Sequence, residues 1–278
     1  MSKISIKKLK PILTQKKFEY KYLSPHIFKH QNFFYLLYCN RKYKNIFQGE
    51  INCAKSKNLV HWKKINEFSI KPNKNSKYHS YVSPSFLKTN KENFIFLEGQ
   101  KKNGSDILCY KSKNFNKWTE IRFKPHLGGK QILFQSPFLF DDNNKIYLFY
   151  SMNKKFINCI DLNKKKKFRC FSANKISEKF SMYSPSILKF KNKFYMFYAA
   201  WKNGLKGNIN IACSNNLKKW KKIKQNIFNI KYPIQIISEP YLIKKAKKIY
   251  FFFEYKKRSN WNISYKVFSF SKFEKLIS

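Results

Sequence analysis

The sequence predicts an all-β protein: a single five-bladed β-propeller of four-stranded antiparallel blades. Three observations predict it. Short aromatic and β-branched runs alternate with polar turns, the mark of antiparallel strands. The same ordered unit returns about five times with a period of roughly fifty residues, as in a propeller or solenoid array. The copies also fill the chain, so its 278 residues call for one domain rather than two.

The clearest copy begins at Ser184-Pro185-Ser186, enters Ile187-Leu188 and turns through Lys191-Asn192-Lys193 into Phe194-Tyr195-Met196-Phe197-Tyr198. A loop carrying Gly204 and Gly207 leads to Ile209-Asn210-Ile211-Ala212, and a fourth segment starts near Trp220. The other copies start at Ser24-Pro25, Ser83-Pro84, Ser136-Pro137 and Ser238-Glu239-Pro240. Three copies close with Ser-x-Asn-(Leu or Phe)-x-x-Trp, ending at Trp62, Trp118 and Trp220, and the third copy lacks this closure. The blades fall at about 20–69, 79–124, 133–173, 182–225 and 235–278. Residues 1 to about 20 form a basic lead-in whose Phe18-Glu19-Tyr20 is placed to pair with the last blade. Lys71–Lys77 and Lys124–Lys130 are polar connectors, and the second holds the Gly128-Gly129 pair. The last blade is expected to run as strand through Asn262–Phe268 and on over Phe270–Ile277, with no helix-period segment.

The formal net charge of +45 raises nucleic acid and anionic membranes as partners. The lysines are instead spread through nearly every turn, beside an excess of Asn, Ile and Phe, which argues against a nucleic-acid stripe and leaves a polyanionic substrate compatible. The run Lys164–Lys167 reads as a solvated hairpin. Six cysteines lie singly on strand-like segments without metal-ligand spacing, so free buried thiols are expected, and no cofactor or metal. No apolar run is long enough to span a bilayer and the start has no apolar signal core, so a cytoplasmic location is expected.

Propeller topology sorts the polar residues without coordinates. The starts of innermost strands and the loops after second strands reach one rim of the central channel. That brings Ser24, His26, Ser83, Ser136, Ser184, Ser238 and Glu239 to the mouth, with Tyr78, His79 and Gln135 just before, and adds Arg41, Glu50, Glu98, Asp106, Trp201, Glu254, Arg258 and Trp261. Counted from the Ser-Pro starts, Glu98 and Glu254 occupy nearly the same blade position as Cys39, Ser151 and Ala199. Acidic residues number only 14, so their gathering on one face stands out. Carboxyls across a polar funnel suit sugar chemistry, one protonating the leaving oxygen and another activating water. Glu239, Glu98, Asp106 and Glu254 are therefore the candidate catalytic residues, and Ser24, His26, Arg41, His79, Ser83, Gln135, Ser136, Ser184, Trp201 and Trp261 the candidate substrate contacts. Plainer readings stand beside these: Ser-Pro also serves simply to start a strand, the histidines also fit ordinary loops, and the carboxylates also fit pairing with lysines. The recurring Trp62, Trp118 and Trp220 read as structural.

These motifs resemble the five-bladed propeller glycosidases, the superfamily of arabinanases, β-xylosidases, levansucrases and invertases, and glycoside hydrolase family 43 in particular. The shared pattern is an acid or Ser before Pro at the strand start, an apolar pair, a polar hairpin, a Tyr-Phe-Tyr strand and the Ala-x-Ser-x-Asn-Leu-x-x-Trp closure at Ala54–Trp62 and Ala212–Trp220. The resemblance implies a carbohydrate-active propeller, with three catalytic carboxylates at the strand starts of the first, third and fourth blades. Ser24, Ser136 and Ser184 stand at those positions, and a serine hydroxyl is no ionised general base. Two outcomes follow: hydrolysis moved to Glu239 and Glu98 with help from Asp106, Glu254, His26 or His79, or a pocket that binds a glycan without cleaving it. An accessory role in polysaccharide synthesis is a third. An inverting pair would stand roughly 6.5–9.5 Å apart.

Overall fold

In the computed structural model, residues 1, 2, 8, 15–18, 43–47, 124–126 and 175, together with the side chains of 19, 20 and 42, lie outside the described residues. The rest is all-β apart from one short helix. A short β1 (Ile4–Ser5) precedes β2 (Glu19–His30), β3 (Phe33–Lys42), β4 (Gly49–Ser56) and β5 (Lys63–Ile70), which pair antiparallel in that order. A separate sheet follows with β6 (Ser80–Lys88), β7 (Asn93–Lys101), β8 (Gly104–Ser112) and β9 (Thr119–Ile121). Another holds β10 (Phe134–Asp142), β11 (Lys145–Met152), β12 (Phe156–Asp161) and β13 (Lys166–Ser172). Next come β14 (Ser181–Phe190), β15 (Lys193–Asn203), β16 (Lys206–Ser214) and β17 (Lys221–Lys224), then β18 (Phe228–Asn229). The last group is β19 (Ile234–Lys245), β20 (Lys248–Lys257) and β21 (Asn260–Ser269), followed by helix α1 (Phe270–Ile277). Four-stranded antiparallel groups of this kind fit a propeller.

The inner strands close on themselves: β2 packs on β6, β6 on β10, β10 on β14, β14 on β19, and β19 on β2. Apolar clusters fill the spaces between neighbouring groups. Phe28, Leu37, Phe86 and Leu97 pack between the first two groups, and Phe96, Leu148 and Ile160 between the next two. Phe149 and Met196 carry the contact onward, then Phe197, Phe251 and Phe253. Leu36, Tyr38, Phe252 and Ile263 join the last group to the first. Burying such large side chains from both faces is the main force holding the groups together.

The C-terminal segment departs from the sequence reading. Phe270–Ile277 is a helix, started by Ser269, whose hydroxyl accepts the Lys272 N–H. Its buried Phe273, Leu276 and Ile277 follow helical spacing. Phe270 and Phe273 meet Phe190 at ring-centroid distances of 5.2 Å. The helix caps an apolar face where a fourth strand was expected. At the other end, Phe18 lies outside the described residues. The lead-in reaches the last group elsewhere: the Ile12 N–H donates to the Ile263 carbonyl at 3.0 Å and the Ser264 hydroxyl to the Lys10 carbonyl at 2.8 Å.

The Ser-x-Asn-Leu-x-x-Trp closures are turns built by side chains. At 56–62 the Asn58 side-chain oxygen accepts the Val60 and His61 N–H groups, and the Trp62 indole N–H donates to the Leu59 carbonyl at 3.2 Å. Trp118 and Trp220 repeat that bond to Phe115 and Leu217. The tryptophans are structural, as the recurrence implied. Lys164 and Lys165 form the exposed turn between β12 and β13. All six cysteines are free, five of them buried, and burial pushes the Cys39 thiol up to about 11.

Candidate functional site

Each inner strand carries the same defect. Register slips by one residue between Leu23 and His26, Val82 and Ser85, Gln135 and Phe138, Tyr183 and Ser186, and Ser238 and Tyr241. The extra residue is in each case the one before proline. Ser24, Ser83, Ser136, Ser184 and Glu239 all hold positive φ, between 49° and 55°. Proline lacks the N–H that a regular ladder needs and steers its predecessor away from the right-handed helical region, so the strand bulges there. A left-handed conformation at a non-glycine residue costs about 1–3 kcal/mol, and here it recurs on every inner strand. Ser-Pro is thus both a strand-start device and a means of re-aiming one side chain.

These residues make a hydrogen-bonded arc. The Ser24 and Ser83 hydroxyls lie 3.4 Å apart, and the Ser184 hydroxyl donates to that of Ser136 at 3.0 Å. The Ser184 and Ser24 hydroxyls both lie near Glu239 and favour its ionised form. Above the arc opens a cavity of about 250 Å³ lined by Lys21, Arg41, Glu98, Gln100, Gln135, Tyr183, Trp201, Glu239, Glu254 and Trp261, among others. Below it the channel does not continue. The five prolines, His26, Phe138 and Tyr241 leave a void of only about 20 Å³, roughly room for one water.

Second strands supply the other carboxyls. Glu98 and Glu254 face Val82 and Ser238 in the ladder, the position taken by Cys39, Ser151 and Ala199 elsewhere. Each receives the N–H of the bulged residue of the next group: Ser136 to Glu98 at 3.1 Å and Ser24 to Glu254 at 3.1 Å. Glu254 also accepts the Ser238 hydroxyl at 2.6 Å. Glu98 accepts the Gln100 and Gln135 amides at 2.9 and 3.5 Å, and the Arg41 guanidinium donates to Gln100 at 2.8 Å.

These surroundings separate the three carboxyls electrically. Burial, then the Glu254 charge, hold Glu239 well above the ordinary carboxylate range, against the pull of the serine hydroxyls. Burial raises Glu254 to about 7, opposed by Ser238, the Ser24 N–H and Arg41. Glu98 is raised by burial too, but Gln100, the Ser136 N–H, Gln135 and Arg41 all favour its ionised form.

Aromatic side chains form one wall. Trp201 lies near-parallel to Trp261, with centroids 6.4 Å apart and planes at 14°, and to Phe180 at 6.2 Å and 23°. The indole rests on Gly207, where a Cβ would come within 2.8 Å of it. Among the described residues, the Trp201 ring N–H and the Gln135 side-chain oxygen are buried without a hydrogen-bond partner.

Several expected site residues lie elsewhere. His26 is below the arc: its Nε2 accepts the Phe86 N–H at 3.0 Å, and burial lowers its pKa to about 3, so it is a neutral structural acceptor. Asp106 is buried away from the cavity, bound by Tyr78 at 2.7 Å, Lys101 at 2.5 Å and the Gly129 N–H at 3.3 Å. Burial acts to raise its pKa, but Lys101 and Tyr78 bring it below the ordinary value, the signature of a structural ion pair. His79 is not among the cavity-lining residues, and its backbone N–H donates to the Gln100 carbonyl. Glu50 accepts the Ser69 hydroxyl, and Arg258 is exposed outside the cavity. Ser184 reaches the arc but not the cavity wall. The sequence reading missed Lys21, Gln100 and Tyr183. Lys21 could have been found as the residue three before the first Ser-Pro, on the alternation that faces the channel. A larger cleft of about 750 Å³ alongside, with exposed Ile176, Leu205 and Tyr232, contains none of the carboxyls.

The chain matches no protein-family model and no curated protein. Solved structures do resemble it. A protein described as a glycoside hydrolase aligns with TM-score 0.73 and 13% identity over 92% of this chain and 90% of that one. A thermostable family-43 glycoside hydrolase aligns with TM-score 0.68 and 15% identity over 90% of each chain. An exo-β-1,3-galactanase from Phanerochaete chrysosporium, solved with galactose, aligns with TM-score 0.70 and 15% identity over 90% of this chain and 61% of its own. Bulged inner strands, a closed circuit of sheets and these alignments agree that the chain has the propeller fold of family 43 glycoside hydrolases.

Proposed function

We propose that the chain is a single five-bladed propeller, with blades at about 20–69, 79–124, 133–173, 182–225 and 235–278, whose central cavity binds and hydrolyses the end of a glycan. At about 250 Å³ the cavity is smaller than the ~300–1,000 Å³ of drug-sized sites, which suits one sugar ring or a chain end. Trp201 and Trp261 offer flat faces for stacking.

One observation carries the reading: three buried carboxyls share one cavity in different surroundings. Burial and the Glu254 charge keep Glu239 well above the ordinary range, as a general acid requires, while at Glu98 three donors and Arg41 favour the ionised form against the burial that raises it, which suits a base. Glu239 would protonate the leaving oxygen, Glu98 would take the proton of the attacking water, and Glu254 would keep Glu239 protonated by its nearby charge. Turnover of aryl-glycosides and oligosaccharides by the whole chain tests this. Glu239→Gln and Glu98→Gln are each expected to lower kcat by about 10²–10⁴-fold with little change in melting temperature. If both variants turn over any cleaved substrate normally, the assignment is wrong.

Glycan binding without cleavage is the second reading. It is favoured by Ser24, Ser136 and Ser184 at the strand starts, and by the bulge N–H that each of Glu98 and Glu254 already accepts. Saturable sugar binding with no turnover in the screen would select it.

A further inference from the structure

We propose that the sugar taken by this cavity is anionic, with its carboxylate, sulfate or phosphate seated on Lys21 and Arg41, backed by Lys256, and its ring against Trp261. The inference rests on the carbohydrate reading of the same cavity.

The strand register gathers these cations. Lys21 lies directly opposite Arg41 in the β2–β3 ladder and beside Trp261 across the parallel bridge from β2 to β21. Lys256 is the antiparallel partner of Trp261. Trp261 therefore sits between two lysines, with Arg41 on the far side of Lys21. Like charges directly opposite one another on a sheet destabilise it, and here burial, then Arg41 and Lys256, lower the Lys21 pKa. Among the described residues neither Lys21 nor Lys256 forms an ion pair.

The carboxyls facing this edge do not cancel it. Glu98 and Glu254 both feel Arg41, but each is also committed to a bulge N–H, and Glu239 favours its neutral form. One guanidinium serves two carboxyls, and among the described residues Lys21 is left as a cavity-lining cation without an ion-pair partner. An acidic group on the sugar would neutralise it, and a planar carboxylate or tetrahedral sulfate can accept from lysine and arginine together. The spread of positive charge over the rest of the surface would draw such ligands in without selecting among them.

Calorimetric titration of the full chain with glucuronate, galacturonate, glucose 6-sulfate and glucose 6-phosphate, beside glucose, galactose and inorganic sulfate, tests the proposal. At least one acidic sugar is expected to bind about tenfold or more tightly than its neutral parent, and which one binds identifies the anionic group. Lys21→Gln and Lys256→Gln should each weaken it severalfold to tenfold with an unchanged melting temperature, and Lys166→Gln, on a distant hairpin, should not. Neutral parents binding equally well, or acidic sugars binding undiminished in both variants, would overturn the anionic assignment while leaving the carbohydrate reading standing. If no sugar binds, whether or not inorganic sulfate does, both fall together.

Discussion

Five residues, Ser24, Ser83, Ser136, Ser184 and Glu239, share a backbone conformation that β-strands normally avoid, and the candidate site is assembled on them. Glu239 is the only acid among them, so a position that elsewhere presents a hydroxyl here presents a group able to donate a proton. The identity of these residues was legible in the repeat, and so was the equivalence of Glu98 and Glu254, because ladder positions follow from counting. Their surroundings were not. That His26 belongs to packing depends on a bulge that shifts register by one residue, and that Asp106 does depends on Tyr78 and Lys101 reaching it. The pKa directions carry a testable sign. Glu254 is raised from 4.5 to about 7, so the fold holds its proton more tightly than the unfolded chain does. Its contribution is full below about 4.5 and is lost as pH rises through about 7. His26, lowered from 6.5 to about 3, acts oppositely and costs stability as pH falls below 6.5. Thermal melts between about pH 5 and 8 should show Glu254→Gln losing less stability with rising pH than the native chain, the remaining loss coming from Glu98 and Glu239. An unchanged slope would contradict the burial argument.

At the scale of elements, the closures show how a short motif fixes a turn. Asn58 satisfies two backbone donors and Trp62 a carbonyl while Leu59 adopts a φ of 70° with its side chain fully buried. Asn58→Ala should cost about 1–2 kcal/mol in denaturant unfolding, and Asn114→Ala a similar amount, since the second closure repeats the geometry with Asn116 and Lys117 as donors. These turns were readable because local side-chain hydrogen bonds need no tertiary partner. Helix α1 was not, because Phe270 and Phe273 continue the aromatic pattern of the preceding strand. Its identity is decided by the apolar face of Phe190 and Phe197, which accepts a helical stripe.

For the whole molecule, closure joins chain ends to opposite sides of one interface. Leu13, only 4% exposed, packs with Tyr22, Leu36 and Phe252 where the first and last groups meet. Leu13→Ala should destabilise by about 2–5 kcal/mol, measured by chemical denaturation. A loss under about 1 kcal/mol would mean that the lead-in is not part of this seal. The repeat made the array legible. Its circular course could be inferred because five copies need a partner at each end, while the plug of His26, Phe138 and Tyr241 beneath the site could not, since it joins side chains from three separate groups.

Sugar binding in the mouth cavity, with Trp201 and Trp261 as its wall, is the claim on which hydrolysis and anion selectivity both depend. Intrinsic tryptophan emission measures it directly, because these two indoles line the cavity while Trp62, Trp118 and Trp220 sit in turns. Titration with neutral and acidic oligosaccharides should give a saturable change that disappears in Trp261→Ala and persists in Trp118→Phe. A response that survives Trp261→Ala, or no saturable response to any glycan, would contradict the account.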